Sequence, residues 1–182
     1  MKYISLIILT FSALLTSCGS QINTEQQQKL EALTVKVDSI TKKVNELDST
    51  ALVKLTDEFF ERKNFIQQKM TDTLPPEMIF MLDAFIQLRK EMGYIRGQYG
   101  MIKLEANILR QQLVDLNHDI SKRLVEEKRF DKYYDLEFEN YNQLSTAASG
   151  LFSGVETGTK KYNEMVGEVD SLIKAYKAKL NE

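Results

Sequence analysis

The residue with the most distinctive chemistry is Cys18, the only cysteine among 182 residues. A thiol can be acylated, oxidised or bound to a metal, but an internal disulfide needs a second cysteine that this sequence lacks. An apolar run over residues 3–15 precedes Cys18 and follows the positive side chain of Lys2. A run of about a dozen apolar residues is too short to span a bilayer, so residues 1–17 are predicted to be an export signal.

The end of this segment, Leu15-Thr16-Ser17-Cys18, resembles the lipobox of bacterial lipoproteins. The resemblance implies that the thiol of Cys18 carries a diacylglyceryl group, that the signal is removed before it, and that the freed amine is acylated. It implies no cofactor beyond this covalent lipid. With Gly19 after the cysteine, it also implies an outer-membrane location facing the periplasm. The alternatives are an ordinary signal peptide with an incidental cysteine, or a buried helical cysteine.

The remaining polar residues do not form a recognisable catalytic or metal site. His118 is the only histidine and lies in a charged stretch, which is typical of a solvated helix surface. Carboxylates alternate with Lys and Arg, as in residues 126–129, and this pattern is typical of an exposed helix face. No phosphate-binding loop, nucleophile elbow or metalloprotease motif occurs. We therefore expect neither catalytic nor metal-binding residues, and no enzyme.

Aromatic residues are concentrated in one short stretch of the last third of the chain. Their spacing places them on more than one face of a helix, so some must be exposed unless a partner covers them. The alternative is that they pack around a turn of the chain. The candidate partner-contact residues are Phe130, Tyr133, Tyr134, Phe138 and Tyr141.

Composition indicates the fold class that must position these residues. The chain contains 8 Gly, 2 Pro and no Trp, and 27% of its residues are charged, which favours long amphipathic helices. The formal net charge of −2, without a basic patch, argues against nucleic acid as a partner. After an export signal over 1–17 and a short lipidated linker over 18–23, we expect one all-α domain over 24–182.

Apolar residues recur at alternating spacings of three and four, the pattern of a coiled coil. The first row begins at Leu30 and predicts a helix over about 24–71, with a stutter beyond Leu47. Pro75 and Pro76 predict a turn, after which a second helix should reach at least residue 123.

A second turn is predicted between residues 124 and 131, followed by a third helix that ends near 180. Three helices of similar length predict an elongated antiparallel three-helix coiled-coil bundle. One alternative omits the second turn and leaves a helix of about 105 residues in a dimer. The other breaks the third helix at about 145–159, where Gly, Ser and Thr are frequent, and gives four helices.

Four glycines depart from the uniform pattern of large side chains. Small residues allow helices to approach closely, although a flexible section of the rod is an equally simple interpretation. The candidates for close helix packing are Gly93, Gly97, Gly100 and Gly158.

These patterns lead to two hypotheses for function. The first is a membrane-anchored lipoprotein that serves as a helical tether or accessory subunit of a cell-envelope protein assembly. The second is a lipoprotein that binds an envelope ligand or the cell wall. The expected partners are the membrane, through the lipid anchor, and an envelope protein complex. A homo-oligomer is compatible with both hypotheses.

Overall fold

The computed structural model describes residues 24–70, 74–122 and 124–180, which are almost entirely helical and contain no strand. The predicted signal, Cys18 and the linker lie outside the described residues. The described part holds the helices α1 (Thr24–Glu46), α2 (Ser49–Lys69), α3 (Pro76–Gln87), α4 (Arg89–Ser121) and α5 (Glu127–Leu180). We call α1 with α2 arm one, α3 with α4 arm two, and α5 arm three.

The three arms run up, down and up along one elongated bundle. Arms one and two are antiparallel, because Arg110 pairs with Asp38 at 2.7 Å while the hydroxyl of Tyr99 reaches the carbonyl of Leu47 at 3.4 Å. Arm three returns alongside both arms, and it contributes Asp170 to an ion pair with Arg62 of α2. The prediction of an all-α antiparallel bundle is therefore confirmed.

Arm one is divided at residues 47–48, where the sequence predicted only a stutter within one helix. The carboxylate of Asp48 accepts hydrogen bonds from the backbone N–H groups of Thr50 and Ala51, at 2.9 and 3.0 Å. This N-cap satisfies donors that the first turn of a new helix leaves free. The apolar row consequently restarts on the buried Leu52, whereas Ala51 is exposed.

Arm two starts at the predicted proline turn, with Pro76 in the first turn of α3, where its missing N–H costs nothing. A second interruption occurs at Leu88, whose N–H bonds to the carbonyl of Phe85 at 3.1 Å. This tighter turn does not interrupt the core, because Phe85, Leu88 and Met92 are all buried. The interruption at Leu88 and the break in arm one raise the number of helices above three. More than three helices were expected only by the alternative with a divided third helix.

The predicted break at 145–159 is wrong, because α5 is one helix of 54 residues. The hydroxyls of Thr146 and Thr157 donate to the carbonyls four residues earlier, at 2.9 and 2.6 Å, so the backbone of the helix itself satisfies these polar groups. Leu151 and Gly158 are buried and keep this stretch against the bundle. α4 ends at Ser121, short of the predicted residue 123, and α5 begins at Glu127, within the predicted range of 124–131. A second turn therefore exists, and the alternative single helix of about 105 residues is wrong.

The core is a continuous row of interlocked side chains between the arms. Phe59, Phe85 and Tyr162 bring one ring from each arm together, with centroids 5.1 and 6.0 Å apart. Thr41 and Thr56 are the buried polar residues of the described core, and the hydroxyl of Thr41 lies 2.9 Å from the carbonyl of Val37 and 3.3 Å from that of Ala106. Every arm thus contributes side chains to one hydrophobic core, which fixes the positions of the three arms relative to one another.

Candidate functional site

The residues that could support catalysis are dispersed over the surface. His118 is exposed in the last turn of α4, where its carbonyl accepts hydrogen bonds from Ser121 and Lys122. Across the described ranges, no group of three His, Cys, Asp or Glu side chains could hold a metal ion.

The aromatic stretch at the start of α5 forms a ladder of neighbouring rings. Phe130 and Tyr134 stack with centroids 5.8 Å apart, Tyr134 and Phe138 stack at 6.0 Å, and Phe138 and Tyr141 follow at 6.2 Å. Tyr133 lies beside this ladder on the side of α4, where it lines a groove with Gln112. Contacts between successive rings restrict the rotamers of the aromatic side chains in this ladder.

The five aromatic residues differ sharply in exposure. Phe130 is 0% exposed, and this removes it from the candidate partner contacts because it belongs to the core. Tyr134 and Tyr141 are half-buried against the core. Tyr133 and Phe138 are 40% and 38% exposed, so the accessible rings are Phe138 within the ladder and Tyr133 beside it.

The first turns of α1 lie beside this ladder. The ammonium group of Lys36 lies 5.8 Å from the ring centre of Tyr141. The pKa of Lys29 is raised mainly by its hydrogen bond to Glu25, with smaller contributions from Asp131 and Tyr134 of α5. The N-terminal end of arm one and the aromatic end of arm three are consequently neighbours in the bundle.

A groove of about 440 Å³ lies next to the ladder, between the end of α4 and the start of α5. Tyr133 and Leu124 give it apolar surface, and an arginine and an amide contribute hydrogen-bond donors. Four carboxylates contribute acceptors. This combination suits a ligand with both a flat apolar face and many hydroxyl or amine groups. The other polar residues that line the groove are Gln112, Asp115, Asp119, Glu126, Arg129 and Glu137.

Within the single chain, three of the four candidate glycines do not pack closely against another helix. A Cβ atom added to Gly93, Gly97 or Gly100 would meet no heavy atom within 4 Å, because these residues are on the outer side of α4. Gly158 is different, since an added Cβ would lie 3.2 Å from the Cβ of Glu91. Gly150, which was not among the candidates, is equally close to the ring of Tyr94.

Arm two carries an exposed apolar row that the sequence reasoning missed. Most of the exposed large hydrophobic residues are on this arm, and on α4 Tyr94, Met101, Leu104 and Ile108 share one face at spacings of seven, three and four, whereas Val114 is on another side of the helix. Their own heptad pattern was the signal that could have identified them, but the stronger core row on the same helix concealed it. The exposed members on α4 are Tyr94, Met101, Leu104, Ile108 and Val114.

At the opposite end of the bundle, charged side chains link arms one and three. Arg62 holds Asp170 through two hydrogen bonds of 2.7 and 3.0 Å, and this contact lowers the pKa of the carboxyl group. Burial raises the pKa of the neighbouring Tyr162 to about 12, and its hydroxyl donates to Glu58 at 3.3 Å. These residues connect arms one and three and do not form an open site.

Comparisons with known proteins do not assign the chain to a family. No protein-family model matches the chain, and no significant match was found among curated proteins or solved structures. Within the described residues, none of the helices combines the length and apolar character needed to cross a bilayer.

Proposed function

We propose that the chain is a lipoprotein, anchored through lipid on Cys18, whose bundle acts as a tether or accessory subunit of a cell-envelope protein assembly. The lipobox-like residues 15–18 support the anchor. Residues 18–23 span at most roughly 20 Å when extended, so the bundle starts close to the membrane surface. The diacylglyceryl group and the N-linked acyl chain expected on Cys18 suffice for stable attachment to the membrane.

The observation that carries the proposed interaction is the position of the two exposed rings. Tyr133 and Phe138 are at the end of the bundle where α1 begins, and hence on the side nearest the anchor. Aromatic rings with exposed faces are enriched in protein interfaces, where they bury large areas at low entropic cost. We propose that the start of α5, which carries Tyr133 and Phe138 on different sides and which we call the aromatic surface, contacts a membrane-associated protein of the assembly.

Affinity purification from detergent-solubilised envelope tests this proposal. The wild-type chain should recover one protein partner in a fixed ratio, and the double variant Tyr133→Ser with Phe138→Ser should recover much less of it. Val53→Ser is the matched control, because Val53 is also exposed but is on α2, away from the aromatic surface. Equal recovery by the double variant would refute the aromatic surface as the contact.

The second candidate function is binding of an envelope ligand or wall polymer. The groove beside Tyr133 favours it, because an aromatic face surrounded by carboxylates and amides is suited to polyhydroxylated molecules. Recovery of glycan in place of a stoichiometric protein in the same purification would support this second function and argue against the first.

A further inference from the structure

The exposed side of α4 carries a second heptad row, one edge of which adjoins α5, where the hydroxyl of Tyr94 donates to the carbonyl of Ala147 at 3.1 Å. One helical turn takes 3.6 residues, so positions at alternating intervals of three and four share a face. All eight positions of this row are exposed in the bundle. We call this row the outer stripe of α4, and its members are Lys90, Tyr94, Gly97, Met101, Leu104, Ile108, Gln111 and Asp115.

We propose that the outer stripe of α4 is a self-association surface on which a second copy of this chain packs in antiparallel orientation. A contiguous apolar row on the outside of a bundle needs a cover, and a two-fold dimer lets the same row cover itself. The proposal goes beyond the tether function and does not require lipidation.

The charges at the ends of the stripe select the orientation. Lys90 begins the stripe and Asp115 ends it, at equal distances from its midpoint between Ile102 and Lys103. An antiparallel pair therefore places each Lys90 beside the partner copy's Asp115. A parallel pair would bring like charges together at both ends, and such contacts disfavour an interface.

The side-chain volumes agree with the same orientation. In the register set by the charged ends, Gly97 faces Ile108 of the second copy, and Met101 faces Leu104 at the centre. Gly97 is a small residue opposite a large one, which lets the side chain of Ile108 fit between the helices at that layer. A Cβ at Gly97 would meet no heavy atom within 4 Å in the single chain, so the space for an incoming side chain is open.

The size of the stripe predicts a weak dimer. Residues 90–115 span about 39 Å, and across a helix about 10 Å wide they offer roughly 400 Å² on each copy. Stable complexes bury about 800 Å² per partner, so association should be reversible and depend on concentration.

The test uses the full chain in detergent with Cys18→Ser, which removes its only thiol and separates the result from lipidation. Sedimentation should show a concentration-dependent dimer, and Leu104→Glu should raise the dimer Kd at least about tenfold by placing a charge in the interface. Val35→Glu is the matched control, because Val35 is equally exposed but lies on α1. Unchanged circular dichroism melting of both variants shows that the fold is intact.

Cross-linking tests the orientation in the same background. Lys90→Cys and Asp115→Cys chains, when mixed and oxidised, should form a disulfide between the two variants, and neither should form one alone, because identical positions lie about 38 Å apart. Several results would overturn the proposal: a monomer at every concentration, a dimer that survives Leu104→Glu, or disulfides in the separate samples. Loss of a different envelope protein from a monomeric Leu104→Glu chain would assign the stripe to that protein and would also overturn it.

Discussion

At the residue scale, Phe130 and Tyr133 are three positions apart on α5 but have different roles. Phe130 is fully buried and stacks on Tyr134, whereas Tyr133 keeps 40% of its surface exposed. Both are aromatic residues in the same predicted cluster, and only the packing of α5 against arms one and two separates them. The sequence grouped both as candidate partner contacts, because residue spacing does not measure how much of each ring the neighbouring arms cover.

This difference predicts opposite results for two similar substitutions. Phe130→Ala should lower the free energy of unfolding by about 3–5 kcal/mol, because it leaves a cavity in the core. Tyr133→Ser should change it by less than about 0.5 kcal/mol, as is usual at exposed positions. Chemical denaturation of both variants measures the effect, and equal losses would show that Tyr133 also belongs to the core.

The ion pair between Arg62 and Asp170 predicts a dependence of stability on pH. The hydrogen bond from Arg62 lowers the pKa of Asp170 below its usual 3.8, so the folded state binds this proton less readily than the unfolded state does. The pair should therefore stabilise the fold above pH 3.8 and lose its effect as the pH falls through the lowered pKa.

Asp170→Asn tests this dependence. Because Asp170 is half exposed, the substitution should cost only about 0.5–1 kcal/mol at pH 7. The stability difference between the variant and the wild-type chain should shrink as the pH is lowered below 3.8. Glu164→Gln, a change of an exposed carboxylate on the same helix, is the control. A difference that is constant from pH 7 to pH 3 would contradict this electrostatic explanation.

At the element scale, the sequence identified the arms because each has a long apolar row with an explicit stop. Pro75 and Pro76 marked the first turn, and the failure of the row near Glu127 marked the second. The breaks within arms one and two were not predictable in the same way. Asp48 is compatible with both an exposed helical position and an N-cap, and only the final backbone conformation distinguishes them.

The cap of α2 can be tested directly. Asp48→Ala should lower the free energy of unfolding by about 1 kcal/mol, because the N–H groups of Thr50 and Ala51 lose their acceptor. Asp48→Asn should retain most of the stability, since an amide oxygen also caps a helix. Denaturant titration compares the three chains. If the alanine variant matched the wild type, α1 and α2 would behave as one continuous helix.

At the scale of the whole molecule, the sequence predicted the bundle better than its surfaces. Core rows repeat over many turns, so a single misplaced residue does not change the fold that they predict. Exposure depends on neighbours from other arms, and for that reason the sequence could not show that Gly93, Gly97 and Gly100 make no close contact within the single chain. The outer stripe of α4 was missed because a helix with two apolar rows resembles one with a single wide row.

The antiparallel dimer would also constrain how the molecule lies on a membrane. Arm three alone is about 80 Å long, and antiparallel copies begin their first helices at opposite ends of the dimer. If both copies are anchored in one membrane through Cys18, the paired rods must lie along its surface. The aromatic surface would then remain close to the anchor of its own copy.

The most direct test of the proposed anchor is metabolic labelling with radioactive palmitate in cells that produce the wild-type chain or Cys18→Ser. The account predicts label on the wild-type chain, which should fractionate with the membrane. It predicts no label on the variant, because lipidation requires the thiol. A wild-type chain without label, or a Cys18→Ser chain that still incorporates it, would contradict lipid anchoring at this residue.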